Sequence, residues 1–187
     1  LADPSFMKYL ITLVVIGLLI WLWRSQASAK AGDGSLPAVG APAPGFDLAD
    51  TRGVRHKLAD YRGHWVVLYF YPKADTPGCT RQACNFRDDW QSFQQKGVVL
   101  VGISADKPVT NAAFSQKFHL PFPLLSDAAG DFARQYGAWM NLGITGFPRR
   151  YTYLIDPDGR IAKVYTDVSV SRHSAEVLAD LKRLTGY

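Results

Sequence analysis

Apolar residues in this 187-residue chain come in two rhythms. In "HWVVLYFYP" (64–72) and "VVLVGISA" (98–105) they are continuous and rich in β-branched and aromatic types. That predicts strands covered on both faces, the first of them central. In "CTRQACNFRDDWQSFQQKG" (79–97) they recur at three- and four-residue steps, as Ala83, Phe86, Trp90 and Phe93. Gly97 closes this pattern, so the stretch reads as one helix with a C-terminal stop. "KPVTNAAFSQKFH" (107–119) reads as a second helix, "FPLLSD" (122–127) as a short strand and "AAGDFARQYG" (128–137) as a short helix. "RYTYLID" (150–156) and "RIAKVYT" (160–166) are strands joined by the turn "PDG" into a hairpin. In "SRHSAEVLADLKRL" (171–184), Val177, Leu178, Leu181 and Leu184 share a helix face. The alternation predicts an α/β fold: a central, mostly parallel sheet with a terminal antiparallel hairpin, flanked by helices.

The N-terminus breaks both rhythms. "YLITLVVIGLLIWLW" (9–23) is uncharged and bracketed by Lys8 and Arg24. As a helix it would rise roughly 22 Å at ~1.5 Å per residue, and with Lys8 and Arg24 snorkelling it fits a membrane anchor. Trp21 and Trp23 suit a membrane interface. A cleaved signal peptide ending at Ala27-Ser28-Ala29 and a buried core helix are the alternatives. Residues 1–6 read as upstream sequence before a start at Met7. Residues 25–44, small and Gly/Pro-rich, read as a flexible linker. The expected organisation is therefore an N-terminal segment (1–24), a linker (25–44) and one folded domain (45–187). The expected location is at a membrane, with the domain on the periplasmic side because a short apolar segment behind a lysine resembles an export signal.

Charge adds little. Lys and Arg number 21 against 16 acidic residues. Without Lys8, Arg24, Lys30 and Asp3 the remaining chain carries only +3, too mild and dispersed for a nucleic-acid surface. His56, His64, His119 and His173 show no metal-ligand spacing, so neither a metal nor another cofactor is expected.

Two cysteines cannot build a disulfide scaffold, and Cys79 and Cys84 stand five positions apart. In "ADTPGCT" a strand ends, a turn follows and a helix begins. Thr76 can cap that helix and Pro77 suits its first turn, which puts Cys79 where unpaired amide donors converge. A thiol so placed is favoured as its nucleophilic thiolate. Cys84 falls in the middle of the same helix. Trp139, in the Gly-rich "YGAWMNLGITGFP", could line the site or serve packing.

Pro72, Thr76 and Cys79 match the P-x-x-x-T-x-x-C motif of peroxiredoxins, and residues 37–187 resemble that family's thioredoxin-like domain. The second cysteine five positions on, with "GVVLVGISADKP" and "FPLLSD", resembles the bacterioferritin comigratory protein, or peroxiredoxin Q, subfamily. The resemblance implies a peroxidatic Cys79 that becomes a sulfenic acid, resolved by Cys84 as an intramolecular disulfide. It also implies Pro72 shielding the site, and Thr76 hydrogen-bonding the thiolate or the peroxide. An arginine six positions before the Asp that ends the late strand would steady the charge; counting back from Asp156 gives Arg150 rather than Arg149. Thioredoxin or a similar dithiol protein would supply electrons to a monomer acting on hydrogen peroxide or organic hydroperoxides. A membrane-tethered thiol-disulfide oxidoreductase would carry C-x-x-C and a proline where Arg150 stands, and a copper-delivery module would carry C-x-x-x-C with a distant His. A purely structural disulfide would leave Cys79 unreactive.

Overall fold

The computed structural model describes residues 34–186. Its centre is a five-stranded mixed sheet. The strands are β3 (Val66–Phe70), β4 (Val99–Ser104), β5 (Leu124–Ser126), β8 (Thr152–Ile155) and β9 (Ile161–Tyr165), in the order β5-β4-β3-β8-β9. β3, β4 and β5 run parallel. β8 runs antiparallel to β3, and β9 to β8, which makes the terminal hairpin expected from the sequence. Every residue of β3 is buried, with Val67 and Tyr69 in one core cluster and Val66, Leu68 and Phe70 in the other. A strand with a helix layer on each face has no polar side to show, hence its unbroken apolar run.

Among the described residues five α-helices flank the sheet: α1 (Pro77–Asp88), α2 (Trp90–Gln95), α3 (Pro108–Phe118), α4 (Asp131–Gln135) and α5 (His173–Thr185). Ala83 and Phe86 of α1, Phe93 of α2, Phe114 of α3 and Val177 and Leu181 of α5 join the core on the Tyr69 face. Ala133 of α4 and the following Tyr136 join the other. The single helix expected over 79–97 is divided. Asp89 (φ −90, ψ 4) ends α1 and starts α2, which lets Trp90 turn toward Phe122, 5.9 Å between ring centroids. Gly97, at φ +63, ends α2 in the left-handed conformation that glycine adopts freely.

Two small hairpins escaped the sequence reading: β1 (Asp47–Ala49) with β2 (Arg55–Lys57), and β6 (Trp139–Asn141) with β7 (Gly146–Pro148). Each strand has three residues, too few for alternation to register. Gly146 serves the second hairpin by leaving room: a Cβ there would lie 2.5 Å from Trp139 Nε1.

The linker does not run free to residue 44. Gly40 N–H donates to Ile161 O (2.7 Å), Ala43 N–H to Gly159 O (2.9 Å), and Tyr136 Oη to Pro44 O (2.6 Å). Backbone amides and carbonyls that meet β9 in register make these residues part of the domain, whatever their composition.

The expectation of a membrane-anchored protein requires correction. The apolar run 9–23 lies outside the described residues. Among the described residues no helix is long and apolar enough to cross a membrane. The longest, α5, has 13 residues and rises ~20 Å, against ~30 Å of hydrocarbon.

Candidate active site

β3 delivers the chain to Tyr71 and Pro72, an arc of residues 73–76 follows, and α1 begins at Pro77. Pro77 fits the first helical position because its fixed φ is helical and its missing N–H would have had no partner there. Cys79 is thus the third residue of α1, where main-chain N–H groups point out of the helix end. Cys79 is buried at 2% exposure, Cys84 is half-buried, and both are free thiols.

Arg150, just before β8, extends across to this helix start. Its Nη2 donates to Cys79 Sγ at 3.2 Å and its Nη1 to Gln82 Oε1 at 2.7 Å. The guanidinium passes so close to Gly78 that a Cβ there would stand 3.2 Å from Nη2. Arg149 points elsewhere: its Nε donates to Trp139 O at 3.4 Å and its guanidinium lies over the Tyr151 ring. The count back from Asp156 therefore selects the arginine that meets the sulfur.

Gln82 was not singled out from the sequence. It stands three positions after Cys79, on the same face of α1, and that spacing was the available signal. It is buried at 1% exposure, and its Nε2 has no hydrogen-bond partner among the described residues. Its carbonyl fixes one arm of Arg150 so that the other arm faces the sulfur.

The remaining expected residues lie close by with different contacts. Thr76 occupies the N-cap position with extended backbone, but its hydroxyl makes no cap bond and donates to Lys73 O at 2.9 Å. Asp75 takes the left-handed φ of +58 and pairs with Lys117 of α3, Nζ to Oδ2 2.7 Å. This bend in the arc turns the Thr76 hydroxyl back on Lys73. Pro72, with Lys73, Ala105, Asp106, Gly146 and Phe147, lines a cleft of about 400 Å3. Trp139 stacks under the Arg134 guanidinium at 4.5 Å and serves packing.

Below the sulfur the site is aromatic. Tyr69, fully buried, has its ring 5.0 Å from Phe86 and 5.6 Å from Tyr71, and burial pushes its hydroxyl well above the usual phenol range. Tyr71 Oη donates to Asn111 Oδ1 at 2.8 Å. The Arg150 guanidinium donates to the sulfur against this largely aromatic wall, to which Gln82 and the Tyr69 hydroxyl add buried polar atoms. Such a setting strengthens a donor's hold on negative charge, whether on sulfur or on an oxygen leaving it.

Residues 39–164 match the AhpC/TSA family. The chain is similar to Peroxiredoxin Bcp of Bacillus subtilis, 41% identical over 152 residues that cover 79% of this chain and 96% of that protein. Its structure is similar to that of peroxidoxin BcpB from Mycobacterium tuberculosis, with a TM-score of 0.75 and 36% identity over 79% of this chain and 98% of the other. It is also similar to the bacterioferritin comigratory protein of Xanthomonas campestris, whose structures were described for its alkyl peroxide reduction activity; the TM-score is 0.71, with 31% identity over 80% and 97% of the two chains. With the cysteine, arginine and motif residues arranged as above, the chain belongs to the AhpC/TSA family, among the Bcp and peroxiredoxin Q peroxiredoxins.

Proposed function

We propose that Cys79 is the peroxidatic and Cys84 the resolving cysteine of a thioredoxin-dependent peroxidase, with Arg150, Thr76 and Pro72 completing the site. The Cys79 thiolate attacks the terminal oxygen of ROOH. The O–O bond breaks, the S–O bond forms, and RO⁻ leaves to be protonated to water or an alcohol while Cys79 becomes a sulfenic acid. The Cys84 thiol then displaces that oxygen as water, forming the Cys79–Cys84 disulfide. Thioredoxin or a similar dithiol returns two electrons and two protons. Organic hydroperoxides join hydrogen peroxide as substrates on the strength of the Xanthomonas relative's alkyl peroxide activity.

The observation that carries this reading is the Arg150 Nη2 to Cys79 Sγ contact of 3.2 Å at the start of α1. A guanidinium there stabilises the nucleophile and, as electrons move to oxygen, the developing charge on the leaving group. Pro72, half-buried where β3 gives way to the arc, takes the part of shielding the sulfur that the family motif assigns it. Thr76 holds the arc by its bond to Lys73 O and has its hydroxyl oxygen free to accept.

Cys79→Ser should abolish peroxide consumption. Cys84→Ser should complete one turnover and then stall as a sulfenic or over-oxidised acid. Stopped-flow kinetics on both variants decides it, and an equal loss of the first turnover in both would overturn the assignment.

A further inference from the structure

The arc between β3 and α1 sets where Cys79 begins its helix, yet the arc belongs to neither element. It is held by side chains from the end of the neighbouring strand β4 and from α3. Ala74, itself buried, gives its backbone N–H to Asp106 Oδ2 at 2.7 Å. The same oxygen lies 3.0 Å from the Ser104 hydroxyl, and Asp106 N–H donates back to Ser104 Oγ at 3.2 Å. Ser104, at the end of β4, is fully buried beside Asn111 of α3, Oγ to Oδ1 3.2 Å. Asn111 accepts from Tyr71 Oη at 2.8 Å and donates from Nδ2 to Ser126 Oγ at 3.1 Å. Tyr71 and Ala74 flank Pro72 and Lys73. Both ends of that stretch are thus fastened to one buried polar network through β4, α3 and β5.

We propose that Asp106 is a positioning residue for the peroxide-attack step. It acts through Ala74 on the arc that joins Pro72 to Thr76 and that fixes the start of α1. The proposal rests on the peroxidase reading above. A charged acceptor in a partly enclosed site makes the strong kind of hydrogen bond. The arc needs one, because Asp75 directly after Ala74 sits at φ +58, a conformation that non-glycine residues adopt only when their surroundings enforce it. With the Ala74 tie removed, the arc relaxes and Cys79 Sγ drifts from the Arg150 donor. A shift on the order of 1 Å in reacting geometry costs about a hundredfold in rate. The disulfide-forming step tolerates the same loss, since it requires the start of α1 to come apart in any case.

The test separates the two steps in the full-length chain. Asp106→Ala should lower the second-order constant for peroxide attack by about 10- to 100-fold, the weight of one lost hydrogen bond to a charged group. The first-order constant for disulfide formation should stay within about twofold on the same scale. Asp106→Asn, which keeps an acceptor for Ala74 N–H, should restore attack to within a few-fold. A merely structural role predicts the reverse: a lower melting temperature, unchanged attack, and disulfide formation that is faster if anything. Attack within twofold of the parent in folded Asp106→Ala overturns the proposal, as does equal loss of both steps. If Asp106→Ala does not fold, Ser104→Ala, which removes the carboxylate's own anchor, carries the test: slower attack alone supports the proposal and unchanged attack overturns it. Should Cys79→Ser still consume peroxide, the peroxidase reading itself falls, an outcome distinct from a neutral Asp106→Ala.

Discussion

Two adjacent arginines separate the groups that act from the groups that pack. Arg150 touches Cys79 Sγ and Gln82, whereas Arg149 is exposed beside Trp139 and Tyr151. Arg150→Met keeps the unbranched stem of the side chain and removes the guanidinium donor aimed at sulfur. Deletion of such a donor costs on the order of 3 kcal/mol, so peroxide attack should slow about 10²- to 10³-fold, while Arg149→Met should change it less than about threefold. Stopped-flow measurement of the attack constant in both variants checks this, and the larger loss at position 149 would overturn the geometry. At this scale the sequence was informative where a residue type and a fixed spacing coincide. The spacings that pointed to Cys79 and Arg150 pointed to two side chains that lie in contact. Gln82 and Asp106 were not legible, because their roles depend on where α1 and the end of β4 lie in space. The Thr76 cap failed for a local reason: the left-handed bend at Asp75 sends the hydroxyl to Lys73 O.

Between elements, the issue is how Cys84 reaches Cys79. Five helical residues rise ~7.5 Å and rotate ~140°, which carries the two Cα atoms past the ~7 Å limit for a disulfide and points the thiols apart. The start of α1 must unwind, and its side chains determine how far. Cys79, Gln82 and Ala83 face inward but are small or polar, whereas Phe86 is fully buried with its ring 5.0 Å from Tyr69, 5.9 Å from Phe93 and 5.7 Å from His173. Extracting a buried phenylalanine costs about 3 kcal/mol or more, against ~1 kcal/mol for each helical hydrogen bond released. Asn85 adds a tie to the segment before α5, Nδ2 to Val170 O at 2.8 Å. Unwinding should therefore stop short of Phe86. Hydrogen-exchange mass spectrometry should show faster exchange on oxidation across 79–85, with protection kept from 86 to 95 and in β3 and β4. Loss of protection through α2 would mean that Phe86 does not hold, and unchanged protection across 79–85 would mean that the bridge forms without unwinding. The sequence signalled one helix over this span; only the packing of Phe86 and Trp90 on opposite sides of Asp89 reveals the break.

Over the whole molecule, the central strand was readable because a strand buried on two faces leaves an unbroken apolar run, and the terminal hairpin because a PDG turn joins its strands. The N-terminal edge of the domain was not, since residues 40–44 are held by main-chain bonds that composition does not encode. A core so read also hides a titratable group. His173, the first residue of α5, is fully buried, its Nε2 2.9 Å from Thr152 Oγ1 of β8 and its ring edge-on to Phe86 of α1 and Tyr165 of β9. Burial lowers its pKa below the ordinary 6.5; Glu176, 3.5 Å from Nδ1, pulls upward, while Arg150 and Lys163 push further down. The folded chain therefore resists a proton that the unfolded chain accepts near pH 6.5. Stability contributed by neutral His173 is complete above that pH and is lost as pH falls from it toward the lower folded value, by up to ~1.4 kcal/mol per pH unit. His173→Gln has nothing to titrate there, and subtracting its curve from that of the parent cancels every other group. Urea unfolding at pH 7.5 and pH 5.5 should show the parent losing more stability than His173→Gln over that interval, even though the variant starts lower at pH 7.5 for want of the packed imidazole. Parallel losses in the two proteins would mean that the proton reaches His173 as easily in the folded chain as in the unfolded one, and that the clamp joining α5, β8 and α1 is insensitive to pH.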